Sequence, residues 1–145
     1  MKAKERRWFD CKVIYERVGE SNLVERVTEN YLVEALSFSE TERRVTEELA
    51  PSVRGEFHVK AVCPSNYSDV IMPESSTGGK WYKSKIEWLT ENEETGKEKK
   101  ISTFVLVRSK DISSSIRMME DFYKELAQDY SIVGITEKNY IDILK

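Results

Sequence analysis

Two residue pairs in this chain have types and spacing suited to chemistry: Trp8 with Lys12, and Trp81 with Lys85. In each, an ammonium follows an indole by four positions, which on an extended strand puts both on one face. An open face carrying indoles beside cations can hold single-stranded nucleic acid without reading its bases. Each stacked base then contributes roughly 1–3 kcal/mol. Arg6, Arg7, Lys80 and Lys83 lie close by in sequence and add positive charge. The expected nucleic-acid-binding set is therefore Trp8, Lys12, Trp81, Lys85, Arg7 and Lys83. The plainer alternative is that both tryptophans start their strands and pack between units, with lysine stems lying over them.

Other chemistries find less support. His58 is the sole histidine, and a zinc site would need it to converge with Cys11, Cys63 and a carboxylate without any ligand spacing to favour this. Ser113, Ser114 and Ser115 read as helix-capping residues, although orphan amides there can bind an anion. Gly78-Gly79-Lys80 lacks the spacing of a phosphate-binding loop. The two Asn-Tyr-x-Asp sets, Asn66/Tyr67/Asp69 and Asn139/Tyr140/Asp142, read as turns in which a tyrosine anchors the chain. No nucleophile and base can be paired. The expectation is a non-enzymatic protein with no catalytic residues, no cofactor and no metal.

Composition narrows the class. The chain has 145 residues, 39% of them hydrophobic and 34% charged, and the charges nearly cancel to a formal −3. A core can be filled, and neither a strongly basic nucleic-acid clamp nor an attraction to anionic membrane is implied. No apolar run approaches the roughly 20 residues that span a bilayer, and the charged start, Lys2 to Arg7, lacks a signal-peptide core. Two cysteines 52 positions apart make no disulfide framework. The expected location is cytoplasmic, with reduced thiols.

The elements that position the tryptophans occur twice. Trp8–Tyr15 lies over Trp81–Trp88 at an offset of 73, and Val27–Ala35 lies over Ile101–Ser109 at 74. Ser39 and Arg43 fall on Ser113 and Arg117, and Asn66–Ile71 returns to Asn139–Leu144 at 73. One extra residue in the second hairpin, and one fewer before the last strand, account for the drift. Collinear matches at this period point to duplication of a supersecondary unit.

Each unit reads strand, turn, strand, helix, strand. Phe9, Cys11, Val13 and Tyr15 alternate with polar residues, Gly19 to Asn22 make a turn, and Val27, Tyr31 and Val33 share a second strand face. Ser39 with Glu42 forms a capping-box pattern for a helix with Phe38, Val45 and Leu49 inward, ending near Pro51. Asp111 or Ser113 caps the second helix, whose stripe is Ile112, Ile116, Met119, Tyr123 and Leu126. The expected fold is α+β, a tandem duplication of a ββαβ unit with mainly antiparallel sheets, each covered by one helix, in a pseudo-twofold arrangement. The first unit spans 1–72, a linker 73–80, and the second unit 81–145. Units of this size are marginal alone, so the two are expected to pack as one domain.

The runs Trp8-Phe9-x-Cys11-Lys12-Val13-x-Tyr15 and Val27-Thr28-Glu29-x-Tyr31-Leu32-Val33-x-Ala35-Leu36-Ser37-Phe38 carry a resemblance across nearly the whole chain. Val45 to Glu48, Ala50-Pro51, Gly55-Glu56-Phe57 and Lys80-Trp81-Tyr82-Lys83-x-Lys85 share it. The chain resembles an uncharacterised family of about 150 residues common in Bacteroidetes and their phages, including crAss-like phages. The resemblance implies a bacterial or phage intracellular protein and transfers no activity. Two functions are expected in order. The first is single-stranded nucleic-acid binding through the Trp/Lys face. The second is an oligomeric phage accessory or counter-defence protein that binds a host or phage protein or sequesters a nucleotide, with open strand edges driving assembly.

Overall fold

Period-two alternation sets the first strand. In β1 (Arg7–Val18), Phe9, Cys11 and Val13 are buried on one face while Trp8, Asp10 and Lys12 take the other. A computed structural model describes residues 6–73 and 78–145. β1 pairs antiparallel with β2 (Val24–Ala35) in one unbroken register, from Arg7 opposite Ala35 to Val18 opposite Val24. Asn22 closes the tip at φ +59, a left-handed conformation that asparagine tolerates.

The helix α1 (Phe38–Leu49) covers the buried face. Thr41, Val45 and Leu49 turn inward and pack on Phe9, Cys11, Val13, Tyr31 and Val33. Its cap lies two residues before the Ser39/Glu42 pattern. Ser37 is extended and its hydroxyl accepts from the Glu40 amide at 3.1 Å, while the Glu40 carboxylate accepts from the Leu36 amide. Phe38 is already helical because its ring stands edge-on to Phe9, at 5.2 Å between centroids. β3 (Phe57–Pro64) then pairs antiparallel with the outer side of β1.

The plan repeats in β5 (Lys80–Glu91), β6 (Glu98–Ser109), α2 (Ile112–Tyr123) and β7 (Tyr130–Lys138). Asp111 caps α2, accepting from the Ser114 amide at 2.7 Å. Met119 and Tyr123 pack on Ile86, Val105 and Val107. Leu126 lies beyond the helix end and is exposed. Even the irregularities recur: β1 slips against β3 between Lys12 and Val13, and β5 slips against β7 between Lys85 and Ile86. The drift in offset sits in two loops. The hairpin tip is Gly19–Leu23 in one copy and the longer Asn92–Lys97 in the other, while the helix-to-strand loop shortens from Ala50–Glu56 to Lys124–Asp129.

The last strand of each half departs from chain order. β4 (Tyr67–Ile71) pairs parallel with β6, and β8 (Tyr140–Leu144) pairs parallel with β2. The sheets are therefore β3-β1-β2-β8 and β4-β6-β5-β7. The protein is α+β, with two four-stranded, mostly antiparallel sheets and one helix on each. The expected division at 72 and 81 puts Tyr67–Ile71 in the first unit and Tyr140–Leu144 in the second. The compact units instead comprise residues up to Ser65 with Tyr140–Lys145, and Asn66–Asn139. Ser65 and Asn66 separate β3 from β4, and Asn139 separates β7 from β8, and in both places the short strand joins a different sheet from the strand before it. Of the expected linker 73–80, residues 74–77 lie outside the described residues, and Lys80 already belongs to β5.

Candidate ligand cleft in the second unit

The strand alternation that sets the core also places the six residues expected to bind nucleic acid. Lys12 and Lys85 are exposed at equivalent positions, each just before the slip in register. Trp8 is half-buried, whereas Trp81 is only 5% exposed. The Arg108 guanidinium lies 5.0 Å from the centre of the Trp81 ring, and its buried Nε has no hydrogen-bond partner among the described residues. A base cannot stack on Trp81 as it stands. Lys83 is half-buried over two rings, 5.2 Å from Tyr67 and 4.7 Å from Phe104, and Arg7 is exposed with its guanidinium 5.5 Å from Phe9. The cations thus lie against aromatic rings, but these rings are largely core members.

The remaining candidates take structural positions. The Tyr140 hydroxyl donates to the Asp10 carboxylate, tying β8 to β1 across the intervening β2. Arg44 of α1 donates to the Glu34 and Lys145 carbonyls and fixes the end of the same strand. His58 and Cys63 are exposed on β3 while Cys11 is buried beneath α1. Among the described residues no three histidine, cysteine or carboxylate side chains are grouped to hold a metal ion, and no helix is long and apolar enough to cross a membrane.

A different set of aromatic residues meets in the second unit. Trp88, on the helix-covered face of β5, donates its indole N–H to the Thr103 hydroxyl at 2.8 Å, which fixes the ring. The Tyr123 ring stands edge-on to it at 4.9 Å, Tyr130 lies tilted at 5.3 Å, and Phe122 stands edge-on to Tyr123 at 5.1 Å. Beside them is an open cleft of about 690 Å³, with Phe122, Leu126 and Ile101 at its apolar rim and Asp69, Thr90 and Gln128 among its polar lining. Phe122 is 50% exposed, and Leu126 and Ile101 are similarly open. The Tyr123 hydroxyl is buried and finds no hydrogen-bond partner among the described residues. Burial first, then the charges of Asp69 and Tyr130, push its pKa up to about 12, so it stays a neutral donor at any physiological pH. A buried donor left unmet costs about 1–3 kcal/mol.

The aromatic set beside the cleft is not repeated in the first copy. By the register of the repeat, Tyr15 stands where Trp88 stands, Glu48 for Phe122, Leu49 for Tyr123 and Phe57 for Tyr130. Sequence reasoning missed it because Tyr123 and Leu126 fit a helix stripe and Trp88 fits a strand face. The available signal was Phe122, a phenylalanine off the inward stripe of α2. An open cleft beside aromatic rings, with a few polar groups in its lining, suits a flat apolar ligand.

No curated protein matches the chain, and no solved structure does. The description "Domain of unknown function (DUF4494)" matches residues 7–145, and the chain belongs to that family.

Proposed function

We propose that the protein is a non-enzymatic binding protein for single-stranded nucleic acid, with unstacked bases entering the cleft beside Trp88 and Phe122. One observation carries this reading: an open aromatic cleft in one copy of a duplicated unit, where the other copy has Glu48 and Leu49 in place of Phe122 and Tyr123. A nucleobase is flat and apolar on its faces, which matches the rings beside the cleft. Lys99 and Lys100 lie on β6 opposite Thr90 and Leu89, and of the two Lys99 shares the strand face of Thr90 and Trp88.

Charge limits the electrostatic part. Glu91, Glu93, Glu94 and Glu98 share the hairpin with those lysines, and the whole chain is formally −3. Neutralising two phosphates gives a slope of log affinity against log salt of only about −1.4. Binding is therefore base-driven, with a shallow salt dependence. A cytosolic accessory role around bacterial or phage DNA belongs to the same proposal, supported by the family resemblance.

The test is fluorescence anisotropy of a labelled single-stranded oligonucleotide titrated at two salt concentrations. Phe122→Ala, at an exposed position that leaves the fold intact, weakens binding about tenfold, the loss of one stacked base at about 1–3 kcal/mol. Trp8→Ala leaves it within about twofold, because that change removes no stacked base. Equal affinity for wild type and Phe122→Ala, or no binding at low salt, would remove the cleft from consideration.

A further inference from the structure

The edge strands that follow the two helices are protected to different degrees. β3 and β7 occupy equivalent positions, and each carries an extra residue where its pairing slips. On β3 that residue is the exposed Lys60, with exposed His58 two positions before it and Pro64 at the strand's end. Charge and proline are the devices that keep an open edge from recruiting another strand. On β7 the extra residue is Val133, 47% exposed, and next to it is Gly134, where an added Cβ meets nothing within 4 Å. Among the described residues no strand lies on the outer side of β7. An open groove of about 770 Å³ runs between β7 and α2, lined by Ile116, Tyr130, Ile132, Ile135 and a single carboxylate, Glu120.

We propose that β7 is a docking edge for an extended segment of a different polypeptide, with aliphatic side chains at alternate positions and a lysine or arginine where it passes Glu120. Strand addition supplies main-chain hydrogen bonds along the free side of β7. Alternate side chains of the guest enter the groove over Ile132 and Ile135, the arrangement in which pockets beside an edge set specificity. Glu120 is the charged group lining the groove, so a cationic guest is favoured and an anionic one is repelled. That charge also selects against a second copy of this chain. Antiparallel pairing of two β7 strands with Ile132 opposite Ile135 sets Glu137 opposite Tyr130, beside Glu120, and two carboxylates meet. The exposed contact of Glu137 with Lys80, at 3.7 Å, does little to relieve this. Tyr130 lines the groove and also touches Trp88 and Tyr123, but none of the residues lining the cleft itself lines the groove, so this inference stands apart from the nucleic-acid reading.

The probe is a short labelled peptide alternating valine and threonine with one lysine near its end, beside a twin carrying glutamate instead. Both are titrated by anisotropy into the full chain, with amide hydrogen exchange followed by mass spectrometry. The lysine peptide binds at least about tenfold tighter than its twin and slows exchange in Tyr130–Lys138 but not in Phe57–Pro64. Val133→Lys, which gives β7 the protection of β3, weakens binding about tenfold, and Glu120→Lys reverses the preference between the peptides. Both changes are at exposed positions, and circular dichroism checks that the fold is kept. Equal binding of the twins, unchanged exchange in β7 at millimolar peptide, or a concentration-dependent dimer that protects β7 without peptide would each overturn the proposal.

Discussion

At the scale of single residues, Cys11 shows how burial controls reactivity. It lies beneath α1, and burial first, then the Glu42 charge, push its thiol up to about 11. Unfolded, the same thiol ionises near 8.5. Its contribution to stability is therefore complete below that pH and is lost as pH rises toward 11. Tyr31 and Tyr123, both pushed up to about 12 chiefly by burial, extend the loss to higher pH. Denaturant midpoints should fall progressively above about pH 8.5, and Cys11→Ala should flatten the first part of that fall. In the native protein a thiol reagent should label the exposed Cys63 promptly and Cys11 only on unfolding. Met119, fully buried between α2 and its sheet, gives the core test: Met119→Ala should cost about 2–5 kcal/mol, read from urea unfolding.

At the scale of elements, the two helices are capped by different chemistry, and pH separates them. Ser37→Ala should cost about 1 kcal/mol at any pH between 3 and 8, since a hydroxyl does not titrate there. Asp111 is held below the usual carboxylate range by hydrogen bonds from Ser114. Its cap is present above the unfolded value and is lost as pH falls through the lowered folded one. Asp111→Asn should therefore leave acid sensitivity smaller while keeping α2 capped at neutral pH, as followed by circular dichroism. Much of this scale was legible beforehand: the alternation in Phe9-Cys11-Val13, the helical spacing of Val45 and Leu49, and the repeat itself are local patterns. The cap of α1 was misplaced by two residues because Ser37/Glu40 and Ser39/Glu42 satisfy the same spacing. Only the edge contact of Phe38 with Phe9 decides between them.

At the scale of the whole molecule, the destination of the short strands was not legible. Tyr-Ser-Asp-Val-Ile and Tyr-Ile-Asp-Ile-Leu read as strands, yet which sheet a strand joins depends on partners far along the chain. The candidate site was hidden for a related reason. Trp8 and Trp81 stood out by matching each other, whereas the cleft arises where the copies differ. Ending the chain at Asn139 tests the strand placement. It removes the parallel neighbour of β2 and the packing of Leu144 on the first core. Amide exchange should then quicken in β2 while β7, next to the cut in sequence, stays protected by β5. Opening confined to β7 would contradict that placement.

Whether bases enter the cleft of the second unit can be read out by photocrosslinking. A single-stranded oligonucleotide carrying 5-iodouracil, irradiated with the protein and digested, reports which aromatic rings its bases touch. Crosslinks are expected in the peptides holding Trp88 and Phe122, lost on competition with unlabelled strand. Crosslinks confined to the peptide holding Trp8, or none at saturating protein, would contradict it.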